Sequence, residues 1–95
     1  MEYVLVTNHN VADYARWKTA FDEAHAMRRE GGEQEYHIFY IKGEPNKLVL
    51  LFKWDNLDHA RKYFESEELK EVMKRAGVIG QPKLQFLEPI EERST

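Results

Sequence analysis

Four histidines, at positions 9, 25, 37 and 59, and not one cysteine bound the chemistry open to this 95-residue chain. No two histidines stand as His-x-His or His-x-x-x-His, and no thiolate is present, so there is no local metal-ligand pattern; neither metal nor cofactor is expected. His9 falls between a first strand and a first helix, from where an imidazole of ordinary pKa near 6.5 could serve as a general base or orient a hydroxyl. The plainer reading is a histidine that hydrogen-bonds the loop or Asp13. Tyr14, Trp17 and Phe21 share one helical stripe, either as core or as the wall of a pocket. His25 and Arg28 continue that stripe toward the helix C-terminus, where the dipole favours cations without any ligand. A guanidinium at the mouth of an apolar pocket could also hold a carboxylate or enolate oxygen, which makes Arg28 a binding candidate. Trp54 with Asp55 closes the third strand, as packing plus a helix cap or as a further wall. His37 and Tyr40 lie on opposite faces of their strand by parity, and His59 is expected in solvent. No Ser-His-Asp spacing, phosphate loop or dinucleotide fingerprint occurs, so triad hydrolysis and nucleotide-dependent chemistry have no support.

The elements that must position these residues can be read from periodicity. Tyr3 to Asn8 is β-branched and aromatic and predicts a strand. Asn10 is expected to cap a helix carrying Asp13 in its first turn; its stripe runs from Tyr14 to Arg28 and stops at Gly31-Gly32, with Arg16, Glu23 and Glu30 on the solvated side. Glu35 to Lys42 and Lys47 to Trp54 predict a hairpin turned by Gly43-Glu44-Pro45-Asn46. Asp55 or Asn56 caps a second helix, kinked near Ser66 and ended by Gly77, whose apolar side holds Leu57, Ala60, Phe64, Leu69, Val72 and Met73. Val78 to Pro82 reads as a connector, Lys83 to Leu87 as a fourth strand, and Glu91 to Thr95 as a frayed tail.

This order, β-α-β-β-α-β, is the α+β ferredoxin-like arrangement: an antiparallel sheet with two helices on one face, in one domain over residues 1–95. The third strand is apolar on both faces, with Leu48, Leu50, Phe52 and Trp54 on one and Val49 and Leu51 on the other. Two helices cover one face only. Leaving Leu5, Phe39, Val49 and Leu51 bare would expose more apolar surface than soluble monomers tolerate, so a homodimer closed into an α/β barrel is expected. With 14 Lys and Arg against 17 Asp and Glu, the net charge of −3 gives no attraction to nucleic acid or anionic lipid. The longest apolar run, Leu48 to Phe52, is far too short for a membrane span, and a soluble, cytoplasmic protein is expected. The strand order also fits RNA-recognition domains, but Lys47-Leu48-Val49-Leu50-Leu51-Phe52 lacks their aromatic and glycine pattern.

Several stretches carry a resemblance: His9-Asn10-Val11-Ala12-Asp13-Tyr14, Trp17-Lys18, Phe21-Asp22, Trp54-Asp55, Ser66-Glu67-Glu68-Leu69 and Ala76-Gly77-Val78-Ile79-Gly80-Gln81-Pro82. Together they resemble the dimeric α/β barrel superfamily, in its antibiotic biosynthesis monooxygenase-like or cyclase-like branch, over roughly Tyr3 to Glu88. The resemblance implies a small-molecule-binding homodimer; some members oxidise polycyclic aromatic substrates or quinols without metal or flavin, and others degrade haem. The haem-degrading pattern is not met, because its iron-ligand histidine position holds Met73, although Asn8 resembles the asparagine lining that pocket. Two readings are open. In one, a cofactor-free monooxygenase or cyclase takes an apolar, aromatic or polyketide-like molecule, with His9 as base or orienter and Asn8, Tyr14, Trp17, His25, Arg28 and Trp54 around the ligand. In the other, a non-catalytic dimerisation or ligand-sensing domain uses the same aromatics as core.

Overall fold

The computed structural model describes residues 1–95. Its central strand, β1 (Glu2–Val11), pairs antiparallel with β3 (Glu44–Trp54), and β3 pairs with β2 (Glu33–Ile41). The other edge of β1 carries β5 (Lys83–Leu87) along Tyr3 to Thr7 and the two-residue β4 (Val78–Ile79) along Asn10 and Val11. The sheet is therefore antiparallel throughout, in the ferredoxin-like order expected from the sequence.

Each of the two expected helices is a pair. The first divides into α1 (Tyr14–Glu23) and α2 (His25–Gly31), the second into α3 (Leu57–Phe64) and α4 (Glu67–Ala76). The first break sits at Ala24, and the Phe21 carbonyl near the end of α1 accepts from Arg28 Nη1 at 2.7 Å, a side chain replacing helical continuation. The second break is the site where a kink was expected: Ser66 donates to the Tyr63 carbonyl and caps α4 by accepting from the Leu69 amide.

Three further expectations are corrected. Asp13, not Asn10, caps α1, accepting from the Arg16 amide at 2.9 Å; Asn10 stays in β1 because β4, read as a connector, pairs with it. Only Lys42 and Gly43 form the hairpin turn, with Gly43 at φ +86°. Pro45 lies beyond it in an irregular stretch, since Ile41 faces Glu44 while Tyr40 already faces Leu48; proline has no N–H to give a ladder. Arg16 lies on the solvated side as expected and, in addition, donates from Nε to the Arg75 carbonyl at 3.0 Å, tying α1 to the C-terminus of α4.

The core lies between the sheet and the helices. Val4, Val6, Leu48, Leu50, Phe52 and Trp54 meet Trp17, Ala20, Phe21, Ala60 and Tyr63 there. Gly32, at φ +122°, makes the passage from α2 to β2: a Cβ would collide with the Asp55 carboxylate and stand 2.7 Å from Trp54 Nε1. On the opposite face Leu5 pairs with Leu51 and Phe39 with Val49, and no helix of this chain covers them. Phe39 is 52% exposed.

Candidate functional site

The site begins with a fault in β1. Val4 and Val6 face the helices, and simple alternation would send residue 8 inward and His9 outward. Instead the β1–β3 register shifts between Val6 and His9, and Asn8 takes a left-handed conformation with φ 54°. Asparagine tolerates that region better than most residues, and the bulge reverses the parity of the remaining strand residues. Asn8 is consequently exposed, whereas His9 and Val11 are buried.

His9 is 5% exposed. Its Nε2 accepts from the indole N–H of Trp17 at 2.8 Å, one helix away, and the two rings meet edge to face. Burial alone pushes the imidazole pKa down to about 4, because the charged form would lose its hydration with no anion nearby. Nδ1 has no partner in the protein.

Arg28 is the second unusual side chain, 2% exposed. Its Nε donates to Glu33 Oε2 at 2.5 Å and its guanidinium lies 3.7 Å from the centre of the Phe21 ring. With Nη1 on the Phe21 carbonyl, only Nη2 is left unpartnered. Glu33, absent from the sequence candidates, is buried too; a glutamate right after a Gly-Gly helix stop gave no local sign of such a partner.

A cavity of about 180 Å³ lies between the sheet and α4, and both His9 and Arg28 line it. Its walls are mostly apolar: Trp17 and Phe21, stacked at 4.7 Å, with Phe52 and Leu50 from the sheet and Leu69, Val72 and Met73 from α4. The exposed members of the lining, Lys70, Gln81 and Leu84, put the opening between α4 and the segment before β5. Tyr63 also lines it, and desolvation raises its phenol pKa, an effect that nearby Arg28 partly offsets. No three His, Asp or Glu side chains gather around a point where one ion could be held.

Of the sequence candidates, His9, Trp17 and Arg28 come together here. The others do not line the cavity. Tyr14 is 39% exposed, its ring tilted and centred 5.8 Å from that of Trp17. His25 is exposed, 3.5 Å from Glu33 Oε1. Trp54 is fully buried, donates to the Gly31 carbonyl at 2.9 Å and stacks on Tyr63, so Phe52 forms the wall expected of it. Asn8 acts through the backbone, by turning His9 inward.

No protein-family model matches the chain, and no curated protein matches it in sequence. Solved structures do match in fold. SnoaB, a cofactor-independent oxygenase from Streptomyces nogalater, superposes with a TM-score of 0.76 at 13% identity, over 96% of this chain and 95% of that one. A protein from Bordetella bronchiseptica classed with the antibiotic biosynthesis monooxygenases gives 0.76 at 12% identity, over 95% and 98%. One from Deinococcus radiodurans, classed likewise, gives 0.73 at 20% identity, over 100% and 98%. The resemblance expected from the sequence thus holds for the fold: this chain has the ferredoxin-like α+β architecture of antibiotic biosynthesis monooxygenase-like proteins. None of its helices is long and apolar enough to cross a membrane.

Proposed function

We propose that the protein binds a small, largely apolar aromatic or polyketide-like molecule in the cavity between sheet and helices, as a cytoplasmic homodimer, and oxygenates it without a cofactor. The observation that carries the reading is the cavity itself: aromatic walls around two buried polar side chains, His9 and Arg28, that each keep one nitrogen unpartnered. Buried donors without partners are costly, and they persist where a ligand completes them. The similarity in fold to SnoaB supports the reaction class by analogy only. A non-catalytic ligand sensor is the second reading, and one observation favours it: the Nε2 lone pair of His9, which a general base would use, is occupied by the Trp17 indole. Oxygenation on this chain therefore requires a substrate acidic enough to ionise without a strong base.

Trp17 makes the test direct, because its indole forms part of the wall. Planar hydroxylated aromatics should quench tryptophan fluorescence saturably, and an oxygen electrode should register uptake with the turned-over ones. Saturable quenching without oxygen uptake leaves the sensor. No binding by any planar aromatic ends both readings. The homodimer rests on the outer sheet face, where Phe39 is exposed and Leu5, Val49 and Leu51 are half-buried. Light scattering should give about twice 11.3 kDa, and Leu51→Lys should give monomer or aggregate.

A further inference from the structure

The Trp17–His9 hydrogen bond determines which proton the imidazole carries. An indole N–H can only donate, so His9 Nε2 must present its lone pair, and the neutral ring then holds its hydrogen on Nδ1. That N–H is buried and unbonded. The other buried side-chain nitrogen without a partner, Arg28 Nη2, also carries hydrogens that it can only donate. Both unsatisfied groups are donors, no buried side-chain acceptor is left over, and both residues line one cavity.

We propose that the ligand presents ionised oxygen, as a phenolate or enolate, to His9 Nδ1–H and Arg28 Nη2, and that Trp17 is the positioning residue holding His9 as a donor. The inference rests on the reading of the cavity as an aromatic-binding site and deepens it. Three features agree. A charge-assisted bond to an anion satisfies a buried donor more strongly than a bond to a neutral oxygen. Arg28 Nε and Nη1 are already committed to Glu33 and Phe21, so Nη2 is the edge left for a ligand. The Trp17 and Phe21 rings, stacked on each other, give the wall a flat apolar surface that suits the ring of a planar ligand. Both nitrogens lie behind the cavity wall with no accessible surface of their own, so seating the oxygen requires the wall to move. His9 on this account stabilises the ligand's negative charge and does not remove its proton. The charged and titratable groups around the cavity are His9 from β1, Arg28 from α2 with Glu33 of β2 behind it, Tyr63 from α3 and Lys70 from α4. Lys70 is exposed and paired with Glu67 at 3.1 Å.

Para-nitrophenol and nitrobenzene make a matched pair of probes, because the first has a distinct phenolate absorption band and the second lacks the hydroxyl. Bound para-nitrophenol should ionise about one pH unit below the free probe, a roughly tenfold preference for the phenolate, and should bind more tightly than nitrobenzene. Trp17→Phe keeps an aromatic wall but frees the imidazole tautomer, and should shrink the preference to the part that Arg28 supplies, while nitrobenzene still binds. Nitrogen NMR of the unaltered protein at neutral pH should find His9 protonated on Nδ1 and bare on Nε2, whether or not the variant folds. Equal binding of the two probes with no shift in ionisation overturns this inference and leaves the aromatic site standing; so does a proton on Nε2. Failure of both probes to bind overturns the aromatic site as well.

Discussion

Replacing Glu33 by leucine removes a carboxylate whose side chain is 2% exposed and leaves the guanidinium of Arg28, 3% exposed, without its anion. Breaking a buried ion pair from one side costs about 3–5 kcal/mol, because the remaining charge stays desolvated. Here the Phe21 carbonyl at 2.7 Å and the Phe21 ring at 3.7 Å still hold the guanidinium, which places the expected loss near the lower end, about 3 kcal/mol. His25, 3.5 Å away and half exposed, changes this little. For a domain of this size such a loss lowers Tm by about 12–24 °C. Thermal and urea unfolding followed by circular dichroism, at one fixed protein concentration, measures it. The double variant Arg28→Met with Glu33→Leu removes both charges and should be more stable than Glu33→Leu alone. A Glu33→Leu loss under about 1 kcal/mol, or a double variant costing the sum of the two singles, would refute the claim that the pair is desolvated and coupled.

Stability should also depend on pH through His9. Its pKa is depressed to about 4 in the folded chain and recovers toward 6.5 on unfolding, so the unfolded chain binds the extra proton between those values. The contribution is complete above about pH 6.5 and fades as pH falls toward 4, by up to about 3 kcal/mol; His9→Phe should flatten this part of the profile of urea midpoint against pH. At Asn8, with φ 54° and an exposed side chain, Asn8→Gly should be near neutral and Asn8→Val should cost about 1–2 kcal/mol in urea unfolding. Equal effects of these two substitutions would mean that the left-handed bulge does not persist in solution. Gly32→Ala meets both a positive φ and the Asp55 carboxylate, and should lower stability by at least about 2 kcal/mol, seen as a drop in Tm.

Much of the fold was legible because it arises from local periodicity. Alternation in Leu48 to Trp54 and the three-and-four spacing of Tyr14, Trp17 and Phe21 are one-dimensional signals, and the order of the elements with them limits the topology to very few arrangements. The two-sided apolar third strand was equally plain, since strand parity assigns Val49 and Leu51 to the face opposite Leu50 and Phe52 without reference to any other element. The helix break near Ser66 fell where a kink was expected, but the one at Ala24 was not legible: the apolar stripe runs on across it, and only the Arg28 bond to the Phe21 carbonyl shows where the axis changes.

The candidate site was decided in three dimensions. His9, Trp17 and Arg28 could be named from residue type and stripe position, whereas the inward turn of His9 depends on a single bulge at Asn8, which strict alternation cannot foresee. Trp54 and Trp17 look alike in sequence as aromatic wall candidates. Tertiary packing separates them: the indole N–H of Trp54 meets the Gly31 carbonyl in the closed core, and that of Trp17 meets a histidine beside a cavity. Glu33 had no local mark at all, because its role exists only where α2 brings Arg28 back against the start of β2. Residue types and spacing determined the strands, the helical stripes and the surplus apolar face, since those depend on neighbours along the chain. Burial of His9, its hydrogen bond from Trp17 and the pairing of Arg28 depend on groups from different elements meeting away from water, and only the tertiary structure could settle them.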